Sequence, residues 1–165
     1  MIAEKFGICD DVKNIISSIN PGKHKYDCYI AGGWFSPSKR KAIDALIKDC
    51  SQLYMKCYMP QFDSPQISKD SPDDVRQLNF DSNLDGIRNS SFVIASTEGL
   101  DSGTIWECGY AYAHGIPVFG YAPLLPPGTK FNLMLAQSME EVFLSDEELL
   151  DYFKHGIKPD KIGAF

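Results

Sequence analysis

Residues 91–123, SFVIASTEGLDSGTIWECGYAYAHGIPVFGYAP, carry the clearest architectural signal in the chain. SFVIAST is a short apolar, β-branched run, the kind that fills a strand buried on both faces. EGLDSG is a turn-rich loop. GTIWECGYAYAHG reads as a helix with Gly115 as its stop, and IPVFGYAP as another buried strand. Two buried strands joined through a helix form a parallel βαβ unit.

The same alternation extends in both directions. Upstream, CYIAGGWF is a strand running into Gly32 and Gly33. In SPSKRKAIDALIKDCSQL, Ser36 is a cap and Pro37 sits at the first helical position. Ala42, Ile43, Leu46 and Ile47 then repeat at helical spacing. YMKCYMP is a further strand, and QFDSPQISKDSPDD is a polar loop long enough to suggest a functional role. A second helix follows, with Ser71 as its cap, Pro72 next, and Val75, Leu78, Leu84 and Ile87 as its apolar stripe. Downstream, Ser145 and the acids Asp146, Glu147 and Glu148 start a final helix carrying Leu149, Leu150, Tyr152 and Phe153.

This alternation of strand and helix predicts an α/β fold: a single-domain, open, mostly parallel sheet of flavodoxin or Rossmann type, flanked by helices. Residues 29–165 are expected to form that domain. Residues 1–28 are expected to be an N-terminal extension with a short helix, in which Val12, Ile15, Ile16 and Ile19 are periodic and Asn20-Pro21-Gly22 is the stop.

Composition narrows the function classes. The 165 residues suit one domain with a real core, and 44% hydrophobic with 23% charged residues is ordinary for a globular protein. A net charge of −6 argues against a nucleic acid polymer or an anionic membrane as partner, because phosphate binding needs clustered Lys and Arg. The five cysteines, Cys9, Cys28, Cys50, Cys57 and Cys108, are odd in number and contain no C-x-x-C pair. They read as reduced core residues rather than as a disulfide framework or zinc site. His24, His114 and His155 are scattered, so no metal is expected. The opening MIAEKFGICDDV lacks a basic start and a continuous apolar run, and no stretch of about eighteen apolar residues follows. A cytoplasmic location is expected.

In open parallel sheets, ligands bind at the loops that leave the carboxyl ends of strands. Three such loops are AGGWFS, QFDSPQISKD and STEGLDSG. AGGW has neither the G-x-G-x-x-G nor the P-loop spacing, so its glycines suit close backbone approach to a small ligand or a tight turn. Trp34 and Phe35 suit stacking on a flat ring. No serine stands in a nucleophile elbow, and Cys108 has no base partner in view. The carboxylates remain. Thr104 and Glu107 have the T-x-x-E spacing of a capping box, whereas a carboxylate kept ionised near a helix N-terminus is also a competent nucleophile. Asp101 nearby would then take a protonated or proton-sharing role. Both readings of Glu107 stand on these grounds.

YIAGGWF, DSGTIWECGYAYAHGIPVFGY and NLMLAQS, in this order and spacing, resemble three motifs of the nucleoside 2-deoxyribosyltransferase family, from about Tyr29 onward. The resemblance places Glu107 as the nucleophile and Asp101 as the acid that contacts the base. Asn132 would reach into the neighbouring subunit's site and hold the sugar 5′-hydroxyl. It implies transfer of the 2-deoxyribosyl group of a 2′-deoxyribonucleoside to another nucleobase, through a covalent glycosyl-enzyme and with retention. Tyr29 would position Glu107; Gly33, Trp34, Phe35 and Gln61 would line the base pocket. It further implies no cofactor, 2′-deoxyribonucleosides and free nucleobases as partners, and a homo-oligomer built on a dimer and extending up to a hexamer.

Two positions depart from the family pattern. Asn83 in NLDGI stands where an aspartate is usual, and it hydrogen-bonds but donates no carboxylic proton. Asp81 and Asp85 flank it, about 200° away around a helix. Phe165 stands near a terminal tyrosine found in some members, with the ring but not the hydroxyl. Two rival functions are a hydrolase of nucleoside 5′-monophosphates, for which Lys130 and Ser138 offer phosphate donors, and a non-catalytic nucleotide-binding module.

Overall fold

The protein is described by a computed structural model covering residues 24–34, 36–126 and 128–163. The expected helix over 12–19, Phe35 and Phe165 lie outside the described residues.

Five strands form one sheet in the order β2-β1-β3-β4-β5. They are β1 (Tyr26–Ala31), β2 (Cys57–Tyr58), β3 (Ser90–Ser96), β4 (Val118–Tyr121) and β5 (Val142–Phe143). All neighbours pair in parallel. The helices are α1 (Pro37–Gln52), α2 (Pro60–Asp63), α3 (Asp73–Arg88), α4 (Ser102–Ala113), α5 (Leu133–Ser138) and α6 (Asp146–His155). A short 3-10 turn, Glu98–Leu100, joins β3 to α4. The open, parallel α/β sheet expected from the sequence is therefore present.

Strand periodicity explains the two-layer core. Cys28, Ile30, Phe92 and Ile94 point to the face covered by Ala42, Ile43 and Leu46 of α1 and Leu149 and Phe153 of α6. Tyr29, Ala31, Val93 and Ala95 alternate with them onto the face covered by Ile87 of α3 and Cys108 and Ala111 of α4. Every residue of β3 is buried, which is why its sequence is a continuous apolar run and not an alternating one.

Local signals held where a side chain cap sets the helix start. Ser36 accepts from the Lys39 amide with Pro37 at the first turn, and Ser145 accepts from the Glu148 amide. Others shift. The cap position of α3 is Pro72, without a side-chain cap bond, instead of Ser71. The same helix leaves Leu78 exposed and buries Ile87, because only its last turns lie against the sheet. The long polar loop contains the one-turn α2. The two-residue β5 and the short α5 were not expected, since neither is long enough to show a period. Among the described residues, no helix is long and apolar enough to cross a membrane.

Candidate active site

The order β2-β1-β3 places a topological switch between β1 and β3, whose outgoing connections go to α1 and α4 on opposite faces. A crevice must open there at the carboxyl ends of the strands. The β1 exit supplies Gly32, Gly33 and Trp34, and the β3 exit supplies Asp101 and the start of α4.

Asp101, not Thr104, begins α4. Its carboxylate accepts from the Thr104 amide at 3.1 Å and from the Thr104 hydroxyl at 3.2 Å. The T-x-x-E capping box is thus corrected: the cap lies three residues earlier, and buried Thr104 serves Asp101. Released from capping, Glu107 projects from the second turn of α4 into the crevice. The Tyr29 hydroxyl donates to its Oε1 at 2.6 Å.

The electrostatics reverse the expected division between the two acids. Burial pushes Glu107 up to about 7; the Asp101 charge adds to this, and the Tyr29 hydrogen bond opposes it. Glu107 stands too far along α4 for the helix terminus to hold it ionised. For Asp101, burial raises the pKa, but hydrogen bonds from Thr104 and Lys39 outweigh it and leave the carboxyl below its usual range. Lys39 Nζ lies 3.4 Å from Asp101 Oδ1. Asp101 is therefore the ionised partner, and Glu107 is the group poised between states. Burial and the neighbouring Glu107 charge push the Tyr29 phenol far up, so it stays a neutral donor.

The glycines serve packing more than ligand approach. A Cβ on Gly33 would lie 3.0 Å from Asp101 Oδ1, and one on Gly32 would lie 2.1 Å from Ile43 Cδ1. Gly33 still borders the crevice, so its lack of a side chain lets Asp101 come up against the β1 exit.

Glu107 sits where two cavities meet. One, of about 290 Å³, runs past Gly33, Trp34, Gln61, Asn79 and Asn83 to Asp101 and Glu107. The other, of about 330 Å³, is an open pocket lined by Phe80, Leu84, Ile87 and Trp106 and shares Asn83, Gly103 and Glu107 with the first. These volumes are at the lower end of small-molecule sites, about 300–1,000 Å³. A larger cavity of about 490 Å³ opens at the opposite edge, beside Ser90 and Pro117, where β3 and β4 begin. It is remote from the strand exits and from the Tyr29–Glu107 pair.

Of the sequence-selected residues, Tyr29, Gly33, Trp34, Gln61, Asn83, Asp101 and Glu107 are brought together here. Asn83 Oδ1 accepts a short hydrogen bond from Ser64, whose hydroxyl also bonds Tyr58 at 2.9 Å. Asn132 does not border either cavity of its own chain. It caps α5, with its side chain accepting from the Met134 and Leu135 amides at 3.0 and 3.3 Å. Lys39, Phe80 and Trp106 were missed. Trp106 precedes Glu107 and packs against Phe80 at 5.6 Å, but no spacing rule joins residues on separate helices.

Comparison with known proteins agrees with this architecture. The family model described as nucleoside 2-deoxyribosyltransferase matches residues 28–134. A solved structure of a 2-deoxyribosyltransferase from Bacillus psychrosaccharolyticus superposes with TM-score 0.68 at 22% identity, over 76% of this chain and 91% of that one. A conserved protein from Enterococcus faecalis V583 superposes with TM-score 0.64 at 22% identity, over 79% of this chain and 98% of that one. No curated protein matches the chain.

Proposed function

This chain belongs to the nucleoside 2-deoxyribosyltransferase family, and from that premise we propose that it moves the 2-deoxyribosyl group of a 2′-deoxyribonucleoside from one nucleobase to another. The observation that carries the reading is the 2.6 Å hydrogen bond from Tyr29 to Glu107 at the junction of two cavities.

In this reading, ionised Glu107 attacks C1′ while the glycosidic C–N bond breaks and its electron pair leaves with the base. Tyr29 holds Oε1, which leaves the second carboxylate oxygen to form the bond. The product is a deoxyribosyl ester of Glu107. A nitrogen lone pair of the second base then attacks C1′, the ester bond breaks, and Glu107 is regenerated. Two inversions give net retention. The outgoing base takes up one proton and the incoming base surrenders one, so no cofactor or net acid is consumed.

The other residues have supporting roles. Ionised Asp101 accepts a hydrogen bond from the base and does not donate the proton. Trp34 and Phe35 wall the base, with Gly33 at the turn between Asp101 and the ring. Gln61 and Asn83 contact the base edge or a sugar hydroxyl. Asn132 and Phe165 act from a neighbouring subunit or the chain end, in a homo-oligomer.

The monophosphate hydrolase is less well supported, because the Ser138 hydroxyl, one of its two expected phosphate donors, is given to the Leu135 carbonyl at 3.1 Å. Incubation with deoxyinosine and adenine tests the proposal. Deoxyadenosine and hypoxanthine are expected in equal amounts, and deoxyinosine alone should add a deoxyribosyl mass to the protein. Base loss only from a 5′-monophosphate, or binding without turnover, would overturn the transferase reading.

A further inference from the structure

Away from the crevice, the sheet assembles a cluster that the linear sequence hides. Cys28 on β1 pairs directly with Cys57 on the edge strand β2, and Cys50 near the end of α1 lies over them. The three Sγ atoms all lie within 4.8 Å of one another. Among the described residues, no His, Asp or Glu belongs to this cluster. All are free thiols; Cys28 and Cys50 are buried, and Cys57 is partly exposed and gives an entry path.

We propose that Cys28, Cys50 and Cys57 form a three-thiolate site for a soft, closed-shell metal cation. An ion bonded to each sulfur at about 2.3 Å requires the sulfurs to stand about 4 Å apart, so the triad needs only small side-chain adjustments. An all-sulfur donor set selects thiophilic ions and excludes hard cations such as magnesium and calcium, which need oxygen ligands. Binding replaces each S–H by an S–metal bond and releases the thiol protons to solvent. The pattern is invisible to motif reading because the three ligands come from three elements.

The ion would be structural. The edge strand β2 is two residues long and pairs with β1 at Cys57 and Tyr58, and the Lys56 carbonyl just before it accepts from the Asp27 amide at 2.8 Å. A metal bridge would tie β2 to both β1 and α1. Tyr58 in turn stacks on Tyr29 at 5.5 Å, on the other face of the sheet, so the bridge lies one residue along from the ring that holds Glu107.

The test is titration of the full chain with Cd²⁺ under reducing conditions, read by sulfur-to-cadmium charge-transfer absorption. One ion per chain with the intensity of three thiolates is expected, together with a rise in melting temperature. Cys57→Ser should keep the fold by circular dichroism but lose the three-thiolate spectrum and weaken binding by more than the roughly hundredfold that loss of a residue supporting a ligand can cost. A Cys9→Ser/Cys108→Ser chain should bind as the parent does. Absence of the absorption, an unchanged spectrum in Cys57→Ser, or loss of binding in the Cys9/Cys108 variant would each overturn the site. A disulfide between two of the three that forms in air, with no Cd²⁺ binding after reduction, would do so as well.

Discussion

The Tyr29 hydroxyl and Glu107 Oε1 are 2.6 Å apart although 78 positions separate them in the chain. The strand supplies the donor, the helix supplies the acid, and the Tyr58 ring lies almost parallel to Tyr29, at 9°, to fix its plane. This one bond opposes the burial that raises Glu107, so it sets how much of the acid is ionised near neutrality.

Tyr29→Phe tests that role. Removing the hydroxyl removes the influence that lowers Glu107, so the ascending limb of the kcat/KM profile should move to higher pH. At neutral pH, base exchange should fall by about fivefold for a rise of one pKa unit from about 7, and recover on the alkaline side. A uniform loss at every pH, with the limb unmoved, would assign Tyr29 to packing alone.

Glu107→Gln should abolish exchange and change the pH dependence of stability. Glu107 rises from 4.5 to about 7 in the folded chain, so its protonated form favours folding fully below pH 4.5, and that contribution is lost as pH rises to about 7. The parent should therefore lose roughly 1–3 kcal/mol more than Glu107→Gln across that window, the lower figure reflecting its opening to the crevice. Denaturant melts at several pH values measure the difference; parallel curves would contradict the raised pKa.

Asp101→Ala removes the α4 cap and should cost about 1 kcal/mol of stability, with a larger loss of base exchange than that destabilisation explains. Lys39→Met leaves the cap in place but removes the cation. Because Asp101 lies below its usual range, its contribution is present above the ordinary carboxylate pKa and fades as pH falls through the lowered value. The Lys39→Met deficit should thus be under about 1 kcal/mol at neutral pH and vanish in acid, as thermal melts at both pH values would reveal.

Gly33→Ala would put a Cβ 3.0 Å from Asp101 Oδ1 and 3.1 Å from its Cγ. The carboxylate must move or the β1 exit must shift, costing about 1–3 kcal/mol as overpacking does. Base exchange should fall while the Asp101 cap weakens, and a double variant with Asp101→Ala should be less destabilised than the sum of the two. Strict additivity in chemical denaturation would show that the two residues do not press on each other.

The βαβ rhythm was legible because buried strands and helices leave different periods in the chain. Caps at Ser36 and Ser145 were legible because each acts within a few residues. The acid in DSGTIWECGYAYAHG was also visible as a candidate, but its setting was not. Local spacing left a Thr104–Glu107 box and a nucleophile equally open, while the fold starts α4 at Asp101 and turns Glu107 towards Tyr29. For the same reason, the pKa order came out opposite to the local argument: burial outweighs the helix terminus at Glu107, and Lys39 with Thr104 outweighs burial at Asp101.

Element order, the parallel sheet and the set of residues able to do chemistry are written along the chain, because they depend on periodicity and side-chain type. Which of them meet depends on how the elements pack. Strand order β2-β1-β3 brings Tyr29 to Glu107 on one face and Cys28 to Cys50 and Cys57 on the other, and no interaction between chain neighbours encodes those distances.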